Sequence, residues 1–199
     1  MAGRSNESAL PSFLYAMERL RTAHEETPKK FAVLDMFPYS GLKKGIVAIE
    51  QQDSDFLPEQ LKSCLEKLLN LSKIYSKWEA KGYHRCDGNL TKERLLNDRD
   101  WTFIHYGDVF YDVVTSSKGL PFITRKQMLN HYLGRSALEE EIFHFWVMEL
   151  ASHLMDSLTF FQKAASLPST KTQERGLLEK KGMKSLTYFE SDYKSVFSI

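Results

Sequence analysis

The sequence predicts a mainly α fold of the α+β kind: a helix-dominated single domain with three main helices and one or two small β-hairpins. Apolar residues recur at helical spacing over three stretches, 12–26, 57–81 and 136–167. A proline or a glycine follows each stretch, and these residues commonly mark helix ends. The apolar runs that could form strands are few and far apart, which argues against a doubly wound sheet.

The N-terminal part of the chain predicts one helix and then a hairpin. A flexible lead over 1–11 precedes the helix over 12–26, and Pro28 lies beyond its end. The apolar face of this helix contains Phe13, Met17, Leu20 and Ala23. Two short apolar runs, 31–37 and 45–51, flank a loop with proline and glycine, which is a pattern typical of a hairpin.

The middle of the chain predicts a second main helix and a second hairpin. A proline suits the first turn of the helix over 57–81, and Gly82 suits its C-terminal end. Residues 101–115 contain two aromatic and β-branched runs separated by Gly107 and Asp108, which indicates a two-residue hairpin. A helix over the same residues is the alternative, because some of their apolar side chains also match helical spacing.

Two helices are predicted in close succession after that region. Apolar spacing indicates a short helix over 124–133, with Gly134 as its C-terminal cap. Ser136 and Glu139 have the spacing of a capping box at the start of the long helix, and Pro168 ends it. The apolar face of the long helix is formed by Phe143, Trp146, Val147, Leu150, Leu154, Leu158 and Phe161.

The composition changes after the long helix. Residues 169–199 begin as a polar linker and end in an aromatic segment. Charged and aromatic residues alternate in that segment, which predicts an amphipathic strand or turn over 188–199. We therefore divide the chain into a lead (1–11), a globular helical domain (12–168) and this C-terminal segment.

Composition also argues against several classes of protein. The 27 Lys and Arg residues nearly balance the 26 acidic residues, and a net charge of +1 lacks the basic excess typical of nucleic-acid binders. No apolar run is long enough to cross a membrane, and the N-terminus has no signal-peptide core. We expect a cytoplasmic or otherwise intracellular protein that is not secreted. Cys64 and Cys86 have neither the spacing of a zinc site nor that of a disulfide framework.

One spacing on the long helix is that of a pair of metal ligands. Glu141 and His144 match the Glu-x-x-His motif of di-iron helical bundles. The second such motif that a di-iron site needs is missing from the sequence, and helical periodicity places Glu141 away from the apolar face. We therefore expect Glu141 on a solvated face, and we predict neither a metal site nor a cofactor.

Other titratable residues form weaker constellations. Glu149 and His153 are four residues apart on one helix face, where such pairs are usually surface ion pairs, but they flank the apolar face, which leaves room for a partly buried role. His105 and Asp108 lie at the second predicted hairpin, but no Gly-x-Ser-x-Gly elbow and no recognisable catalytic cysteine accompanies them. If the protein is an enzyme, its catalytic candidates are His105, Asp108, Glu149 and His153, with His131 and His144 as further titratable groups.

The predicted function is that of a cofactor-free interaction protein, an adaptor, accessory or regulatory protein with a protein-binding surface. Aromatic residues make up 13% of the chain, and aromatic side chains are common anchors of interfaces. The candidate anchors are Trp78, Tyr188, Phe189, Tyr193 and Phe197. One alternative is an enzyme whose site is assembled from the dispersed His, Glu and Asp residues. Another is an RNA-binding accessory protein, whose basic helix would carry Lys62, Lys67, Lys73, Lys77 and Lys81.

Overall fold

Helices dominate the structure, which is a computed structural model and confirms the predicted fold class. It describes residues 10–27, 38–52, 57–74, 84–88, 90–97, 101–102 and 105–197. The helices in these ranges are α1 (Leu10–Glu25), α2 (Tyr39–Gln52), α3 (Glu59–Ile74), α4 (Lys92–Leu95), α5 (Val109–Ser117), α6 (Phe122–Leu133), α7 (Glu139–Ala165) and α8 (Thr172–Phe197). Among these described helices, none is both long and apolar enough to cross a membrane.

A small antiparallel sheet accompanies the helices. Strand β1 (His84–Cys86) pairs with strand β2 (His105–Gly107), and Cys86 lies opposite His105. The two strands are separated by a long stretch of chain that includes α4, so they do not form a tight hairpin.

The described elements group into two compact units. The first unit contains α1, α4, α5, α6, both strands and the start of α7, up to Met148. The second unit contains α2, α3, the rest of α7 from Glu149, and α8. Fully or almost fully buried apolar side chains in the second unit include Leu42, Ile49, Leu61, Leu68, Leu154, Leu158, Phe161, Leu186 and Phe189.

Four predicted helices are present with small shifts of their ends. They correspond to α1, α3, α6 and α7, although the last residues predicted for the second main helix lie outside the described ranges. Gly134 ends α6 in the left-handed region at φ 69°, as its C-cap role predicts. At the start of α7, the N–H of Leu138 donates to the Glu141 carboxylate at 2.9 Å. The predicted capping box at Ser136 and Glu139 is therefore wrong by two residues.

The first predicted hairpin is wrong in its second strand, because residues 39–52 form α2. Leu42, Ile46 and Ile49 are buried at helical spacing, so the short apolar run lies on one helix face. Gly45 lies on the same face, where a Cβ atom would overlap the side chain of Leu158. Residues 31–37, the first predicted strand, lie outside the described ranges.

The second predicted hairpin is also wrong, and the helical alternative is correct from residue 109 onward. β2 ends at Gly107 and α5 begins at once. Asp108 is the N-cap of α5 instead of a turn residue, because its Oδ1 accepts a hydrogen bond of 2.9 Å from the N–H of Phe110. Val113 and Val114 are fully buried on the helix that follows.

The C-terminal segment is a helix, so the strand or turn predicted for 188–199 is wrong over the residues that the structure describes. The stretch predicted as a polar linker forms the first part of α8. Gly182 packs on Phe161 so closely that a Cβ atom would lie 2.9 Å from the ring. The hydroxyl of Ser157 donates to the Gly182 carbonyl at 3.0 Å. α8 therefore packs directly on α7 within the second unit.

Candidate functional site

Three metal-ligating side chains converge within the second unit. Glu149 and His153 come from α7, and Asp192 comes from α8. His153 Nε2 lies 3.1 Å from Asp192 Oδ2 and 3.8 Å from Glu149 Oε1, and the three ligand atoms all lie within 4.8 Å of one another. We call these residues the acid–histidine cluster.

Local sequence explains how the helices position this cluster. Residues four apart share a helix face, so Glu149 and His153 point the same way from α7. Asp192 reaches them because the small residue Gly182 lets α8 approach α7 closely. The ligand atoms are therefore held by two packed helices, which position side chains more precisely than loops do.

The cluster is buried on one side and open on the other. The side chains of Glu149 and His153 are 7% and 10% exposed, whereas that of Asp192 is 38% exposed. The ring of Tyr188 lies 5.8 Å from the His153 ring, centroid to centroid. An imidazole nitrogen carries one hydrogen at most, so Nε2 can donate a strong hydrogen bond to only one of the two carboxylates. The distances identify Asp192 as that partner.

The first unit buries a different histidine contact, between His24 and Asp112. Asp112 is fully buried and accepts hydrogen bonds from the N–H groups of Asp87 at 2.7 Å and Gly88 at 2.8 Å. His24 Nε2 lies 3.1 Å from the same carboxylate, and its Nδ1 lies 2.8 Å from the hydroxyl of Tyr132. Burial raises the pKa of Tyr132 well above its ordinary value, so the phenol keeps its proton. These contacts tie α1, α5 and α6 together inside the first unit.

Asp108 takes part in a second buried pair of the first unit. One of its carboxylate oxygens caps α5, and the other hydrogen-bonds to His144 Nε2. The Phe110 ring contacts the His144 ring edge-on at 5.1 Å between centroids. Both oxygens of Asp108 are therefore used in holding α5 and α7 in place.

The structure distributes the candidate catalytic residues over both units. Glu149 and His153 are together and buried, so the surface ion pair is wrong and the alternative of a buried role at the edge of the apolar face is correct. Only the backbone of His105 is described, in β2. His131 contacts Glu18 at 3.2 Å on the surface, where their side chains are 41% and 49% exposed.

The expectation for Glu141 is wrong, because this residue is only 2% exposed. Its carboxylate accepts two hydrogen bonds from Arg135, at 2.6 Å and 2.7 Å, in addition to the one from Leu138. A paired carboxylate can be buried at a helix N-terminus, where the helix dipole also favours negative charge. Glu141 therefore anchors the start of α7.

The predicted interaction anchors have different environments. Tyr188 is 48% exposed, whereas Phe189 is fully buried in the core of the second unit. Tyr193 stacks on Phe189 at 5.9 Å and is half-buried. Trp78 lies outside the described residues, and only the backbone of Phe197 is described. Of this set, Tyr188 is the anchor that the structure shows on the surface.

The two cysteines are buried free thiols. Burial raises the pKa of Cys64 to about 12, and the neighbouring Glu190 carboxylate, 3.3 Å from the thiol, adds to this effect. Burial and nearby Asp112 also raise the pKa of Cys86. Since the thiolate is the nucleophile and the metal ligand, both thiols are unreactive at neutral pH.

Comparisons with known proteins give no match: no family model fits the sequence, and no curated protein or solved structure is significantly similar to the chain.

Proposed function

We propose that this chain is an intracellular accessory protein that binds a partner protein through the exposed face of α8. The carrying observation is the composition of that face between residues 177 and 191, all of which the structure describes. The exposed residues in this stretch are Leu177, Lys180, Lys181, Met183, Lys184, Thr187, Tyr188 and Ser191. Three cations and three large apolar side chains thus face solvent, and the exposed carboxylate of this stretch, Glu179, is paired with Arg175. We call this surface the α8 face.

The carboxylates of the same stretch are paired with basic side chains, although the side chain of Glu179 is itself 40% exposed. Glu179 accepts a hydrogen bond from Arg175 at 3.2 Å, and Glu190 accepts one from Lys67 at 2.6 Å. These pairings leave Lys180, Lys181 and Lys184 as the exposed charges at the centre of the α8 face, with Glu179 and Asp192 at its edges. A surface of one charge sign steers and selects a partner of the opposite sign.

Two lysines of the α8 face lie close to aromatic rings. Lys184 Nζ lies 5.6 Å from the centre of the Tyr188 ring, and Lys181 Nζ lies 5.8 Å from that of Phe160. Cation–π contacts of this kind are favourable even at exposed sites. Leu177 and Tyr188 are 61% and 48% exposed, and tyrosine is enriched among the residues that dominate binding energy. The chemistry of the α8 face therefore fits an acidic protein segment with an apolar side.

The proposal is tested by tagged capture from the native cell, followed by mass spectrometry. The wild-type chain is compared with the double variant Lys181→Glu/Lys184→Glu, and with Lys126→Glu, an exposed lysine of the first unit, as the control. We expect an acidic partner that the wild type and the control retain, that the double variant loses, and that raised salt releases. Capture that is identical for all three chains, or that nuclease treatment abolishes, would contradict the proposal.

One observation favours the enzyme alternative. Two of the four candidate catalytic residues, Glu149 and His153, meet in the acid–histidine cluster with a third titratable residue. The RNA-binding alternative has less support, because two of its five lysines are paired with carboxylates. Lys62 contacts Glu50 at 2.8 Å, and Lys67 contacts Glu190 at 2.6 Å.

A further inference from the structure

We propose that Glu149, His153 and Asp192 bind one divalent transition-metal cation, with Zn²⁺ as the preferred ion. This site borders the α8 face at Tyr188, whose ring lies 5.8 Å from that of His153, but it does not rest on the proposed partner. It follows from the convergence of one imidazole nitrogen and two carboxylate oxygens on a single point.

The distances between the ligand atoms suit a common ion. Zn²⁺ binds histidine nitrogen at about 2.0–2.1 Å and carboxylate oxygen at about 2.0–2.2 Å, so neighbouring ligands of a tetrahedral site lie roughly 3.4 Å apart. The observed separations from His153 Nε2 are 3.1 Å to Asp192 and 3.8 Å to Glu149. These two separations are within about 0.4 Å of that value, and all three ligand atoms lie within 4.8 Å of one another.

The type of ligand selects the class of cation. Imidazole nitrogen suits Zn²⁺ and its first-row neighbours, whereas Mg²⁺ and Ca²⁺ prefer sites made of oxygen alone. A zinc site with three protein ligands keeps a further position for water or another molecule. Asp192, whose side chain is 38% exposed, is the member of the cluster through which water would reach such a position.

Charge supplies a second argument. Glu149 and Asp192 place two carboxylates within 4.8 Å of the His153 nitrogen, and the side chain of Glu149 is only 7% exposed. Buried negative charge is favourable where a cation lies beside it. A divalent cation at the point of convergence neutralises both carboxylates at once and uses the lone pair of Nε2.

The test is a calorimetric titration of the full chain with Zn²⁺ after dialysis against a chelator. We expect one ion per chain, a melting temperature that rises with zinc, and no competition from Mg²⁺. The variant Asp192→Asn, which keeps the size of a part-exposed side chain, should bind at least about tenfold more weakly. The variant His131→Gln removes the surface histidine–carboxylate contact with Glu18 and should bind like the wild type.

A wild-type chain that does not bind Zn²⁺ would overturn the proposal, as would an Asp192→Asn variant that folds and binds equally well. X-ray absorption on the zinc-loaded wild type identifies the ligand atoms directly and does not depend on whether a variant folds. We expect a shell of nitrogen and oxygen atoms at about 2.0–2.2 Å with the signature of one imidazole. Sulfur at about 2.3 Å would assign the metal to Cys64 or Cys86 and would refute the site.

Discussion

Histidines lie beside carboxylates in both units, but the groups that surround each histidine–carboxylate contact differ. In the first unit, Asp112 accepts two backbone N–H groups in addition to its contact with His24. In the second unit, two carboxylates converge on the single Nε2 atom of His153. In the first unit several donors surround one carboxylate, whereas in the second unit two carboxylate oxygens and one imidazole nitrogen lie within 4.8 Å of one another.

This difference separates a structural contact from a binding site. A buried carboxylate with several N–H donors is satisfied without a ligand, and its role is to hold the donor segments together. Two carboxylates and one imidazole nitrogen that converge on one point offer the ligand atoms that a divalent transition-metal cation binds. The surroundings of a histidine–carboxylate pair therefore indicate its role better than the distance between the two groups.

The largest effect is expected from Asp112→Ala. This change leaves two backbone N–H groups and His24 without their buried acceptor, so we expect a loss of about 3–5 kcal/mol in the free energy of unfolding. Urea denaturation followed by circular dichroism measures it. A loss below about 1 kcal/mol would show that the His24 contact is not structural.

A smaller effect is expected from Gly182→Ala, which tests the close approach of α8 to α7 in the second unit. A Cβ atom would lie 2.9 Å from the Phe161 ring, so overpacking should cost about 1–3 kcal/mol and also weaken zinc binding. The matched control is Gly176→Ala on the same helix, where a Cβ atom meets nothing within 4 Å. That change should stabilise the chain by about 0.5–1 kcal/mol. Equal effects at both glycines would contradict the packing.

The smallest effect concerns the contact between Lys67 and Glu190. The hydrogen bond from Lys67 lowers the pKa of Glu190, so the pair stabilises the fold above the ordinary glutamate pKa of about 4.3. That contribution is lost as the pH falls through the lowered pKa. The same bond raises the pKa of Lys67, whose ordinary value is about 10.4. The ion pair therefore stabilises the fold fully below that pH, and this stabilisation is lost as the pH rises through the raised pKa of Lys67.

Glu190→Gln should cost less than about 1 kcal/mol at neutral pH, because the two side chains are partly exposed, at 33% and 23%. Denaturation of both chains over a pH series measures the difference. We expect the difference to shrink as the pH falls below about 4. A constant difference down to about pH 3 would mean that the change acts through packing and not through the ion pair.

Sequence predicts the helices whose ends carry strong local signals. Gly134 is in the left-handed region at the end of α6, and Pro168 follows α7, as their residue types indicate. The hairpin predicted at Asp108 is wrong because an aspartate is common both in tight turns and at helix N-caps. Its role as a cap depends on the burial of α5, which tertiary packing decides.

α8 was missed because its buried face does not look apolar. Gly182 and Ser185 are buried together with Leu186 and Phe189, so two of the four positions have low hydropathy. Small residues allow close packing, but they weaken the periodic signal on which sequence analysis depends. Helical spacing could have found this face only if small residues had been counted as apolar.

Sequence predicts the pairing of two of the three residues of the acid–histidine cluster, but not the third, which lies on α8. Glu149 and His153 are four apart on one helix, so their pairing follows from local geometry. Asp192 lies 39 residues from His153 along the chain, on the helix that was missed. No local pattern relates the two, and only the packing of α8 on α7 brings them together.

The most direct test of the contrast between the two units measures zinc affinity and unfolding free energy for Asp112→Asn and Asp192→Asn in parallel. We predict that Asp112→Asn lowers the unfolding free energy by more than about 1 kcal/mol and keeps the wild-type zinc affinity. Asp192→Asn should keep the metal-free stability within about 1 kcal/mol and lose at least about tenfold in affinity. Zinc affinity that falls with Asp112→Asn and not with Asp192→Asn would contradict the roles assigned to the two sites.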